Sequence, residues 1–150
     1  MGYRILVVDD EDDLRESLCE LLRTLPDVHV EAARGFSEGT IKALGKEWDL
    51  VLSDERMPDG SGTDLLRRLA LSKPAVRLVL MSAHQDFAMA IRAINHGRVD
   101  EFLEKPYDPE KLLERVRQML QENPGRRDEG DPSLQLRTFR RIGTSPGRQP

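Results

Sequence analysis

Short apolar runs alternate along the chain with longer segments in which apolar residues recur every three or four positions. Ile5-Leu6-Val7-Val8 is the first run and stops at Asp9-Asp10. Leu14, Leu18, Leu21, Leu22 and Leu25 then mark one stripe of a helix, and Asp12 or Asp13 is a suitable cap for it. Pro26-Asp27 breaks that helix, and Val28 to Ala32 alternates as a strand near a sheet edge does. A weaker helix follows Ser37, with Ile41 and Leu44 expected inward; Gly39 and Gly45 lower its propensity. Leu50-Val51-Leu52 is the third run and ends at Ser53-Asp54. Met57 to Gly62 carries turn residues at nearly every position. Thr63 or Asp64 caps the next helix, whose inward residues are Leu65, Leu66 and Leu69. The fourth run, Val76 to Met81, ends at Ser82-Ala83. A fourth helix is expected over Phe87, Ile91 and Ile94, ending at Gly97, and a fifth strand over Val99 to Leu103. Lys105-Pro106 punctuates it, and Asp108-Pro109 opens a last helix with a stripe of Leu112, Leu113, Val116 and Leu120.

Strands alternating with helices predict an α/β fold, a parallel sheet covered on both faces. Runs such as Ile5–Val8 and Leu78–Met81 are apolar at every position, as central parallel strands are. Connections should be right-handed, and ligands should bind beyond the carboxyl ends of the strands. From Asn123 the composition shifts to Gly, Pro, Ser and Arg. Residues 1–122 therefore read as one domain and 123–150 as a disordered tail or linker stub. Leu134, Leu136, Phe139 and Ile142 offer at most one amphipathic turn to a partner. The tail leaves no room for a helix-turn-helix, so direct nucleic-acid binding is not expected.

Composition narrows the class. The chain has 150 residues, 33% of them charged and 38% hydrophobic, the profile of a soluble globular protein. Its net charge of −4 gives no overall attraction to nucleic acid or anionic membrane. No stretch reads as a signal peptide or membrane span. The single cysteine, Cys19, excludes an internal disulfide and sits among leucines as a small core residue. A cytoplasmic setting follows most simply.

The chemistry lies at the strand ends. Asp9 and Asp10 follow the first strand and Asp54 the third; if those strands are neighbours, three carboxylates converge. Left alone they would repel one another and rise in pKa. A hard divalent cation relieves this, and Mg²⁺ prefers such oxygen ligands. Cation neutralisation also makes a carboxylate usable as a phosphoryl acceptor. Ser82 adds a hydroxyl after the fourth strand and Lys105 an ammonium after the fifth. Each alone has an ordinary structural reading, as a cap, a loop hydroxyl or a surface lysine; their joint occurrence at four strand ends does not.

Four segments carry a resemblance. Ile5-Leu6-Val7-Val8-Asp9-Asp10-Glu11, the stretch Asp54 to Gly62, Met81-Ser82-Ala83 and Phe102-Leu103-Glu104-Lys105-Pro106 resemble, in order and spacing, the response-regulator receiver (CheY-like) family, over roughly residues 3–122. The resemblance implies a doubly wound, flavodoxin-like (βα)5 fold with five parallel strands in the order 2-1-3-4-5. It implies that Asp54 accepts a phosphoryl group from a sensor histidine kinase. Asp9, Asp10, Asp54 and the backbone carbonyl of Arg56 would hold Mg²⁺ or Mn²⁺. Ser82 would be the switch hydroxyl, Lys105 would bind a phosphoryl oxygen, and Phe102 would be the rotating aromatic. The bond before Pro106 would be cis, an isomer of low cost only before proline. Arg56 and His84 would flank the phosphoryl group and tune its lifetime.

The implied output is a change in the surface formed by the fourth helix, fifth strand and last helix, read by an output domain, a downstream protein or a second copy on phosphorylation. Arg92, Asn95, His96, Arg98, Lys111 and Arg115 are candidate exposed residues there. Gly97-Arg98-Val99 stands where many members have Gly-Ala, and with Arg56 and Ala93-Ile94-Asn95 it resembles the branch joined to transcription activators and cyclic-dinucleotide phosphodiesterases. Two other readings compete. A non-phosphorylated interaction module should lack one of the acids, the hydroxyl or the lysine, and all are present. An aspartyl-phosphate phosphatase or mutase needs a second acid two residues after the nucleophile, and position 56 is arginine. The expectation is a self-modifying acceptor rather than a turnover enzyme.

Overall fold

A computed structural model describes residues 2–83, 88, 99–122 and 140–142. The elements run β1 (Tyr3–Val8), α1 (Asp12–Leu22), β2 (Val28–Ala33), α2 (Phe36–Gly45), β3 (Leu50–Asp54), β4 (Arg56–Met57), β5 (Gly60–Ser61), α3 (Gly62–Ser72), β6 (Arg77–Ala83), β7 (Glu101–Lys105), α4 (Pro109–Gln121) and β8 (Arg140–Ile142). The main sheet has the order β2-β1-β3-β6-β7-β8, and every pairing in it is parallel. Its five long strands reproduce the expected order, and the fold is flavodoxin-like. Apart from Ala88, which is helical, the expected helix over Phe87–Gly97 lies outside the described residues, and so do Arg92, Asn95, His96, Arg98, Leu134, Leu136 and Phe139.

The inward residues divide by strand alternation into two cores. Ile5, Val7, Leu52, Met81 and Leu103 face α1 and α4; Leu6, Val8, Val51, Leu80 and Phe102 face α2 and α3. Cys19 is buried among the first set, as its leucine neighbours imply. Helix α4 is capped by Asp108, whose carboxylate accepts from the Glu110 and Lys111 amides.

Four local expectations need correction. In α2, Ile41 and Leu44 are exposed, while Gly39 and Ala43 face the sheet. A Cβ on Gly39 would stand 2.8 Å from Val8 Cγ1 and 2.9 Å from Leu65 Cδ1, so the helix packs too closely for a branched residue there. Neither Asp12 nor Asp13 caps α1: Glu11 holds that position without a side-chain bond, and the two aspartates lie in the first turn, where they suit the helix dipole. Ser61, not Thr63 or Asp64, caps α3. The 57–62 loop contains a two-residue antiparallel pairing of β4 with β5. At the far edge, Arg140–Ile142 joins the sheet as a sixth strand, within a segment whose composition reads as tail.

Candidate functional site

The site is assembled by register. Asp54 closes β3 opposite Met81, Ser82 follows on β6, and Lys105 closes β7 opposite Ala83. Asp9 follows β1 directly, its amide donating to the Ala33 carbonyl at 3.1 Å. One carboxylate oxygen each from Asp9, Asp10 and Asp54 lies within 4.8 Å of the others. Lys105 Nζ stands 3.3 Å from both Asp9 Oδ2 and Asp54 Oδ1. Asp10, Glu11, Asp54, Arg56, Ser82, Ala83 and Lys105 line one cleft of about 240 Å³.

Three acids face one ammonium, and the electrostatics show the excess. Burial pushes the Asp54 carboxyl up to about 6, and the charges of Asp9 and Asp10 add to this, while Lys105 opposes it. Lys105 is disfavoured by burial, yet Asp54 and Asp9 hold its pKa above the ordinary lysine value. The donor set suits a small hard cation: closely spaced carboxylates with no nitrogen or sulfur ligand among them. Ser82 Oγ is buried with no hydrogen-bond partner among the described residues. Such a hydroxyl is costly unless something polar reaches it in another state.

The response regulator receiver domain family matches residues 5–117. The chain belongs to that family. This receiver is 35% identical over 113 residues to the response regulator protein PilR of Pseudomonas aeruginosa, covering 75% of this chain and 25% of PilR. It is 32% identical over 114 residues to the transcriptional regulatory protein FixJ of Rhizobium meliloti, covering 76% of this chain and 55% of FixJ. It thus spans a quarter to about half of these curated relatives. A solved CheY-like receiver domain protein from Methanospirillum hungatei superposes with a TM-score of 0.75 at 28% identity, covering 82% of this chain and 97% of that one.

Several residues that hold the receiver site together carry no signal in the hydrophobic pattern. Arg15 is buried; its guanidinium donates to the Asp9 carbonyl at 2.9 Å and pairs with Asp12 at 2.6 Å. The Glu11 amide donates to Asp9 Oδ1 at 3.0 Å, fixing that carboxylate. Glu55 is buried and accepts from the Thr63 amide and hydroxyl at 2.9 and 2.6 Å, so the residue after Asp54 anchors the start of α3. Gly62 is required there, since a Cβ would lie 2.2 Å from the Asp54 carbonyl oxygen. Asp59 reaches from the β4–β5 turn to the start of α2 and accepts from the Phe36 and Ser37 amides, each at 2.9 Å. The only advance sign of these bonds is an acid or arginine placed close to a strand end.

Other expected residues fall as follows. The Lys105–Pro106 bond is cis. Phe102 is fully buried on the α3 face of the sheet. Lys111 is exposed. Arg115, expected on the exposed output face, is instead engaged by buried Glu101, its Nε 2.9 Å from Glu101 Oε1, and also contacts Gln118 and Glu122. Glu122 in turn pairs with Arg77 at 2.8 Å. His84 lies outside the described residues. Beside Lys105, an apolar pocket of about 360 Å³ is lined by Leu14, Leu18, Met81, Pro106 and Tyr107. Among the described residues no helix is long and apolar enough to cross a membrane.

Proposed function

We propose that this receiver is a phosphorylation switch in which Asp54 takes a phosphoryl group from the phosphohistidine of a sensor kinase. A carboxylate oxygen of Asp54 forms the new O–P bond as the N–P bond breaks, and the imidazole leaves with its electron pair and takes up a proton. Asp9, Asp10, Asp54 and the Arg56 carbonyl would hold Mg²⁺ or Mn²⁺, which supplies positive charge against the added phosphoryl oxygens. Lys105 is in place to pair with one of those oxygens, and the Ser82 hydroxyl with another. Burial that raises the Asp54 pKa also strips solvent from its carboxylate. Arg56 and His84 then set access of the hydrolytic water, and so the lifetime of the acyl phosphate.

The observation that carries the reading is the convergence at neighbouring strand ends of the Asp9, Asp10 and Asp54 carboxylates, the Lys105 ammonium and the unpartnered buried Ser82 hydroxyl. Pairing of Ser82 with the phosphoryl group biases the loop after β6 and, through Phe102, the outer face beside β7, a shift between two populations. An output domain, a downstream protein or a second copy reads that face. The chain modifies itself and is not a turnover enzyme. It works in the cytoplasm and binds neither nucleic acid nor membrane directly. The apolar pocket at Leu14 and Pro106, next to the reacting groups, gives a kinase helix a place to seat. The test is incubation with Mg²⁺ and acetyl phosphate followed by intact mass. The wild type should gain one phosphoryl group, and none when the metal is chelated beforehand, and Asp54→Asn should gain none. An Asp54→Asn protein modified as fully as wild type would overturn the assignment.

A further inference from the structure

The sixth strand has the wrong hand for a strand supplied by its own domain. Helices α1 and α3 cover opposite faces of the sheet. The β1-α1-β2 step travels toward one edge and the β3-α3-β6 step toward the other. Opposite faces and opposite directions give the two steps the same hand, the right hand that such connections take. The step from β7 to β8 travels in the direction of β3 to β6. Yet α4 packs on the α1 face, with Leu112, Val116 and Met119 in the core that contains Leu18 and Leu22. A connection carried by α4 is therefore left-handed, a hand found in about 2% of parallel crossovers.

The pairing itself is favourable. Without β8, strand β7 would present a row of unpaired backbone groups at the sheet edge. The register sets Arg140 opposite Glu101, Arg141 opposite Phe102 and Ile142 opposite Leu103. Supplied by a different molecule, the same strand makes the same pairing with no crossover inside either domain. Residues 123–139 join Glu122 to Arg140, and a chain of that length reaches up to roughly 60 Å, ample to span two domains. Attachment in cis raises local concentration; the disfavoured hand works against that advantage, and reciprocal exchange between two copies restores it by engaging both tails at once.

We propose that the outer edge of β7, paired with Arg140–Ile142 in this structure, is a strand-addition site whose occupant is Arg140–Ile142 of a second copy, two copies exchanging these strands. The contact is isologous, each copy donating and accepting one strand. It does not rest on acceptor chemistry, so it is tested on the full chain without divalent cation or phosphodonor. Mass is measured by light scattering over a wide concentration range, and contacts are assigned by isotope-filtered NMR on a mixture of labelled and unlabelled chains. The expected result is a dimer whose inter-copy contacts join residues 101–103 to 140–142. Successive residues of a strand turn their backbone groups to opposite edges, so either Arg141→Pro or Ile142→Pro removes a donor to β7, and that variant should be monomeric. A monomer with these contacts inside one chain, rapid amide exchange at 140–142, or a dimer that survives both substitutions would each overturn the proposal.

Discussion

Two clusters of buried charge sit at opposite ends of β7, and they are built on opposite plans. At its start, Glu101 meets Arg115, which also contacts Glu122, and Glu122 meets Arg77. Acids and bases balance, and Arg115 is held above its ordinary pKa against the effect of burial. At its end, Lys105 faces Asp9, Asp10 and Asp54. Acids outnumber bases, and the burden falls on Asp54, which burial raises to about 6. Both clusters use buried carboxylates and long cations. The balanced one pairs each of its charged groups within the chain, whereas the unbalanced one leaves an excess of acids for a cation or a proton to offset. Burial is common to both clusters and is the main cause of the raised Asp54 pKa; the balance of acids and bases is what differs between them.

The largest effect should come from breaking the balanced cluster. Glu101→Ala removes the buried partner of Arg115 and leaves its guanidinium only the contacts to Gln118 and Glu122, and loss of one partner of a buried pair costs about 3 kcal/mol; urea denaturation at neutral pH would show it. A change below the scatter of exposed-site variants would mean that the pair contributes nothing.

The unbalanced cluster should respond in the opposite sense. The folded pKa of Asp54 lies above its ordinary 3.8, so the protonated form is favoured by folding. Its contribution is complete below pH ~4 and is lost as pH rises through ~6. In chelator at pH 7, Asp54→Asn should therefore gain at most about 3 kcal/mol, on a scale of roughly 1.4 kcal/mol for each pH unit, and that gain should vanish near pH 4. Mg²⁺ should stabilise the wild type more than the variant. Equal denaturation midpoints for the two proteins at both pH values would remove the distinction between the clusters.

Ser82→Ala should be smaller still. Its hydroxyl has no partner among the described residues, so loss of the oxygen leaves the unmodified protein within about 1 kcal/mol of wild type or slightly above it. The difference should emerge only after acetyl phosphate treatment, as a smaller phosphorylation-dependent shift in melting temperature. At the foot of the scale, Arg117→Ala breaks an exposed pair with Glu114 on α4 and should leave the denaturation midpoint unchanged.

The sequence was legible where one physical signal dominated. Apolar runs stopping at acids located β1 and β3 and their carboxylates, because a parallel strand buried on both faces leaves no other place for a charge. It was less legible where contact came from a distant segment. Ile41 and Leu44 fit a helical stripe, but the sheet side of α2 is set by how closely Gly39 can approach Val8 and Leu65, which no local pattern encodes. Asp12 and Asp13 both suit a cap, and the chain enters the helix one residue earlier. Arg115 reads as a surface cation until Glu101 is placed beneath it by the turn of α4. The tail's composition reads as tail, and three of its residues nevertheless have a register with β7.

The Asp59 bonds to the Phe36 and Ser37 amides, and the close approach of Gly60 to the Phe36 ring, bear on how the segment after Asp54 can move. That segment is pinned at its far end to a helix on the β2 side of the sheet, and Glu55 ties its near end to the start of α3. If Asp54 is charged as proposed, these ties hold the β3–α3 junction and the start of α2 in place. The segment after Asp54, clamped at both ends, is then a fixed anvil for the chemistry beside it.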